Sequence, residues 1–236
     1  MLAAGGLTLS WGRFMARNHP NPFQEATMPH QRPRIEVNAQ VTLEAALSLP
    51  PGQAKGAAVV LHPHPLYGGS MDNNVVEALE KAALLAGWAA LKFNFRGVWP
   101  STGQHDNGLG EQEDVIAVAG YLRQRLDLPL ALLGYSFGSL VGAAAAPRLG
   151  PLAAGVWIAL PLVLGPLPAW PPDAGPLLLV AGDRDPYTRL EDLEAYVRGL
   201  GARSHLTAIP GGDHFFGGGE SALIQEVSQW LARVPM

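Results

Sequence analysis

Six short apolar runs, at 57–62, 88–95, 130–133, 153–160, 177–181 and 205–209, constrain this chain more than any other feature. They read as strands, most of them too apolar to have a face in water. Between them lie segments with helical character, at 70–86, 111–126, 140–146, 190–200 and 221–233. Strands alternating with helices imply a mostly parallel sheet with helices on both faces, an α/β fold. Two further β segments, 34–37 and 42–49, flank a turn near Asn38, and Pro50-Pro51-Gly52 ends the second. No internal repeat is visible.

The chain has 236 residues, a length that fits one α/β domain, and 48% of them are hydrophobic, enough for a sizeable core. The expected division is an N-terminal arm, 1–33, poorly ordered, and a single domain, 34–236. The arm is rich in Asn, His, Pro and Gln from residue 10 onward, and Met28 is an alternative start. Net charge is −4 and the sixteen basic residues form no cluster, which argues against nucleic acid and against an anionic membrane patch. No apolar stretch reaches the roughly 18 residues of a membrane span. There is no cysteine, so disulfides, thiolate metal sites and a cysteine nucleophile are excluded. That composition is compatible with a reducing cytoplasm, which is the expected location.

The run at 130–133 leads into Gly134-Tyr135-Ser136-Phe137-Gly138, a G-x-S-x-G pentapeptide, and a helical segment follows. A serine on a sharp strand-to-helix turn is lifted clear of the fold, and the next amide, that of Phe137, faces whatever the serine attacks. The motif is short, and an incidental serine on an ordinary turn is the plain alternative. The chemistry needs an acid and then a histidine further along. The run at 177–181 ends at Gly182-Asp183-Arg184-Asp185-Pro186, where an α/β sheet places its reactive groups. The run at 205–209 leads into Pro210-Gly211-Gly212-Asp213-His214, a glycine-rich loop that lets a histidine reach the serine. Ser136, Asp185 and His214 are therefore the expected nucleophile, acid and base. Asp183 competes with Asp185. The pattern Thr188-Arg189-Leu190-Glu191 looks like a capping box, which would leave Asp185 free of capping duty. The competing reading makes Asp185 the N-cap, with Pro186 in the first helical position.

These residues resemble the α/β-hydrolase superfamily, and more narrowly its small, lidless, dienelactone-hydrolase-like serine hydrolases. The resemblance runs from about Arg34 to Val234. It is carried by the stretch from Leu61 to Asn73, by Phe93-Asn94-Phe95-Arg96-Gly97, by Gly110-Glu111-Gln112-Glu113-Asp114, by the pentapeptide, and by the loops holding Asp185 and His214. It implies a single-domain α/β-hydrolase fold without a lid domain. It implies that the acid is the second aspartate of the G-D-x-D pattern, Asp185. It further implies an oxyanion hole made by the backbone amides of Phe137 and His64. His62-Pro63 stands where the family has a His-Gly pair, and Pro63 and Pro65 have no N–H to offer. After the fourth strand the family has Arg-Gly-x-Gly-x-Ser, whereas this chain reads Arg96-Gly97-Val98-Trp99-Pro100-Ser101. Trp99 should reshape that loop at the pocket entrance. Larger relatives insert a helical lid where this chain has only 161–175, with five prolines.

The expected function is a serine hydrolase, carboxylesterase-like, that cleaves a small ester or similar acyl bond through an acyl-enzyme. A peptidase or acyltransferase on the same residues, and a non-catalytic interaction module of the same fold, are the alternatives. No cofactor is expected. His62 and His64 lack a recognisable third ligand, so no metal is expected either. Tyr67 and Trp99 are the expected pocket aromatics, and Arg96 is expected to pair with Asp114 or Glu111. The partner is a small-molecule ester.

Overall fold

A computed structural model of the chain describes residues 30–165 and 167–235. Of the expected arm, 1–33, residues 1–29, including Met28, lie outside the described residues. The chain joins the fold ahead of Arg34, because β1 (His30–Gln31) pairs antiparallel with β3 (Thr42–Ser48). The hairpin of β2 (Arg34–Glu36) and β3 turns at Asn38, whose Oδ1 accepts the amides of Gln40 and Val41.

The sheet has nine described strands in the order β1-β3-β5-β4-β6-β7-β8-β9, with β2 beside β3. From β5 (Trp88–Phe93) through β4 (Gly56–Leu61), β6 (Leu130–Tyr135), β7 (Ala154–Ile158) and β8 (Leu177–Gly182) to β9 (Ser204–Ile209), all neighbours run parallel. Alternation along each strand makes the two layers. Ala57, Val59 and Leu61 of β4 pack with Val115 and Val118 of α2 (Leu109–Leu126) and Val141 of α3 (Phe137–Ala145). Ala58 and Val60 face the other way, onto Val75 and Leu79 of α1 (Asn74–Leu85) and Leu223 and Val227 of α5 (Glu220–Ala232). α4 (Leu190–Leu200) adds Leu193 to the first layer. Strands buried on both faces explain the continuous apolar runs.

Two helix N-termini differ from expectation in how they are capped. α1 begins at Asn74 because Asn73, not Ser70, caps it, its Oδ1 accepting the amide of Val75. α4 begins after Arg189 with no side-chain cap, and Thr188 Oγ1 is buried without a partner. The capping-box reading of Thr188 therefore fails. The amides of Tyr187 and Thr188 are taken instead by Asp185 Oδ1, at 2.8 and 3.1 Å. That is a local Asx-type turn, which outcompetes a helix cap.

Candidate active site

The sharp turn after β6 is built by two bare Cα atoms. A Cβ on Gly134 would lie 2.7 Å from the backbone of Gly138 and Ser139, and one on Gly138 would overlap the carbonyl oxygens of Leu61 and His62. Their absence lets α3 start against the ends of β4 and β6. Ser136 then sits at φ 52°, ψ −115°, a conformation that costs a non-glycine residue about 1–3 kcal/mol. Backbone hydrogen bonds hold it there: its amide donates to Ile158 O at 2.8 Å, and its carbonyl accepts from Ser139 N at 2.9 Å.

His214 stands over this turn on the loop after β9. Its Nε2 lies 3.1 Å from Ser136 Oγ and its Nδ1 lies 2.7 Å from Asp185 Oδ2. The Asp185 side chain is wholly buried. It accepts the imidazole on one oxygen and two amides on the other, so its charge is compensated inside the protein. Tyr135, one residue before the serine, donates its hydroxyl to His214 O at 2.9 Å and ties the base loop to β6. Burial, with the charges of Asp185 and Asp213 behind it, pushes the Tyr135 phenol well above its usual range, so it stays a donor. Asp183 has another partner, accepting the amide of Gly211 at 2.7 Å. Asp213 likewise accepts the amide of Phe215. The structure thus brings Ser136, His214 and Asp185 into one hydrogen-bonded row and leaves Asp183 out.

The loop after β4 supplies the facing wall. His62 is fully buried and spends both ring nitrogens: Nδ1–H donates to Pro63 O at 2.6 Å, and Nε2 accepts the amide of Phe95 at 3.0 Å. In a trans peptide the C=O and the following N–H point opposite ways. Holding Pro63 O therefore turns the amide of His64 away from the His62 ring. His64 uses its other groups within the loop. Its carbonyl accepts from Tyr67 and Gly69, and its Nδ1 accepts from Leu66 at 3.2 Å. Neither the His64 amide nor the Phe137 amide, the first of α3, has a protein acceptor among the described hydrogen bonds. Burial, then the neighbouring His105, lowers the His64 pKa. Burial lowers that of His62 much further, to about 4.

Ser136, Phe137, His64 and His214 line a cavity of about 570 Å³, and Tyr67 is in its wall. Trp99 is not in that wall; it is 87% exposed. The reason is the loop itself. Ser101 is buried, donating to Asn94 O and accepting from Glu44 N, and its own amide closes a turn onto Val98 O. That turn throws Trp99 outward. Tyr187, Phe215, Val163 and Leu164 line the cavity and were not anticipated. Arg96 pairs with Asp114, at 2.7 Å, and not with Glu111. Glu111 instead accepts the amides of Asp106 and Gly108 at the start of α2. Among the described residues no group of three or more His, Asp or Glu side chains is placed to hold a metal ion. No described helix is long and apolar enough to cross a membrane.

The comparisons with known proteins agree with this fold. A serine hydrolase homologue from Coxiella burnetii is 32% identical, with a TM-score of 0.79 over 86% of this chain and 97% of that one. A lidless α/β serine hydrolase from Xanthomonas campestris is 31% identical, with a TM-score of 0.77 over 87% and 97% of the two chains. An uncharacterised protein of Rickettsia prowazekii is 34% identical over 175 residues, 67% of this chain and 71% of that one. No family model matches the chain. The chain belongs to the α/β-hydrolase superfamily.

Proposed function

We propose that this hydrolase is a carboxylesterase that cleaves small esters through Ser136, His214 and Asp185. The observation that carries the reading is the row Ser136 Oγ, His214 Nε2, His214 Nδ1, Asp185 Oδ2, whose Ser136 and His214 line a cavity. Ser136 Oγ attacks the ester carbonyl while His214 Nε2 takes its proton. Asp185 keeps the other proton on Nδ1 and stabilises the imidazolium. The negative oxygen that develops is received by the amides of Phe137 and His64, neither of which has an acceptor among the described residues. His214 passes its proton to the departing alcohol. A water, deprotonated by the same nitrogen, then releases the acid from Ser136.

The test is Ser136→Ala, read by turnover of p-nitrophenyl acetate and by labelling with a fluorophosphonate probe. Labelling should vanish, and kcat should fall by about 10⁴- to 10⁶-fold, the usual cost of losing such a nucleophile. The fold should be retained by circular dichroism, since the hydroxyl carries no core packing. A folded variant that keeps more than about a tenth of the activity excludes Ser136 as the nucleophile.

A further inference from the structure

Two aromatic rings stand beside the base, one on the residue after His214 and one two residues after Asp185. Tyr187 and Phe215 line the cavity, with ring centroids 5.0 and 5.5 Å from the His214 imidazole at interplanar angles of 70° and 89°. They are 53% and 61% exposed, so their faces are open to a ligand in the cavity. Their backbones are nonetheless fixed. The Tyr187 amide donates to Asp185 Oδ1 at 2.8 Å. The Phe215 amide donates to Asp213 Oδ1 at 3.0 Å, and its carbonyl accepts from Asn74 Nδ2 at 3.0 Å. Rings carried on tethered backbones lose little freedom when a ligand arrives. Among the described residues the cavity wall contains no Lys, Arg, Asp or Glu, so an ionised group on the ligand would meet no charged partner from them.

We propose that Tyr187 and Phe215 are specificity-determining residues that clamp the alcohol half of the substrate, and that the preferred substrates are esters of uncharged arylmethyl alcohols. The inference rests on the triad reading above. In acylation the Ser136 Oγ–carbon bond forms, the carbon–alkoxy bond breaks, and the proton on His214 Nε2 goes to the leaving oxygen. That oxygen must therefore come within hydrogen-bond reach of Nε2. The group it carries is then held beside the imidazole, where the two rings stand. Edge-to-face and offset contacts favour an aromatic group there over an alkyl one.

The test compares benzyl acetate, ethyl acetate and 4-(acetoxymethyl)benzoate. All three leave the same acetyl-enzyme, so their kcat/KM values differ only through acylation, while the alcohol is still bound. Benzyl acetate should exceed ethyl acetate by about tenfold or more, and the carboxylate should drop its ester roughly tenfold below benzyl acetate. Tyr187→Ala and Phe215→Ala should each lower the benzyl-to-ethyl ratio by roughly fivefold, and Tyr187→Phe, which keeps the ring, should restore it. An unchanged ratio in both alanine variants, as a merely structural role would give, overturns the clamp. So does a wild-type enzyme that is labelled at Ser136 by the fluorophosphonate yet indifferent to the alcohol, or inactive on all three acetates. Absence of labelling at Ser136 overturns the triad reading beneath it.

Discussion

Asp185 divides its two oxygens between two tasks, and the division makes its substitution informative. Oδ1 holds the amides of Tyr187 and Thr188, and Oδ2 holds His214 Nδ1. Asp185→Asn can keep Oδ1 in place, so the loop survives, but an NH₂ group then faces Nδ1 and imposes the wrong tautomer. We expect kcat to fall by about 10⁴-fold with circular dichroism unchanged. Asp183→Asn still accepts the amide of Gly211, so its activity should stay within roughly threefold of wild type. Assaying both with p-nitrophenyl acetate decides the matter, and a crippled Asp183→Asn beside an active Asp185→Asn would reverse the assignment. At this scale much was legible. Ser136, Asp185 and His214 each follow a strand-like run, in the order the motif requires, and each was named from that. The route to Asp185 was partly wrong, because it leaned on a helix cap at Thr188 that does not exist. Local competition for the amides of Tyr187 and Thr188 is invisible until the carboxylate's position is known.

Between the end of β4 and the end of β5, His62 is the stitch, and its burial gives the fold a dependence on pH. The folded protein protonates His62 only near pH 4, whereas an unfolded chain does so near the ordinary 6.5. Below about 6.5 the unfolded state therefore binds the extra proton first. The stability that His62 contributes is complete above pH 6.5, is lost as pH falls towards about 4, and falls no further below that. The gap corresponds to roughly 3 kcal/mol. Urea unfolding of wild type and His62→Gln at pH 7, 5.5 and 4.5 should show the wild type losing the larger share on acidification. Equal slopes would remove His62 from the account. Element positions were legible from apolar runs and their spacing, yet α1 starts four residues after the expected 70 and α3 three before the expected 140. The first start is decided by the local cap at Asn73 and the second by the close approach of backbone at Gly134 and Gly138, neither of which periodicity encodes.

For the whole molecule, the decisive feature is what lies between β7 and β8. Among the described residues this connection holds one short turn, Leu162–Leu164, and no α-helix, and Val163 and Leu164 from it reach the cavity wall. The described part of it offers no α-helix to open at a lipid surface. Esters of short acids should be hydrolysed faster than esters of long ones, with no jump in rate when the substrate passes its micellar threshold. Comparing p-nitrophenyl acetate, butyrate and palmitate across that threshold checks this, and an interfacial burst on palmitate would contradict it. The layered sheet was legible as a whole, since alternating runs leave few other solutions. The cavity was not. Its walls come from loops after β4, β6, β7, β8 and β9, and only folding puts Tyr187 and Phe215 beside Tyr67 while turning Trp99 away. The pentapeptide also bears on how such a chain can change through descent. Replacing Ser136 removes one hydroxyl at a turn and leaves the packing alone. Adding a single methyl at Gly134 or Gly138 drives carbon into backbone. Selection for a stable fold thus guards the two glycines even in a lineage that has given up hydrolysis, and a descendant of that kind would keep the scaffold of the motif around an empty centre.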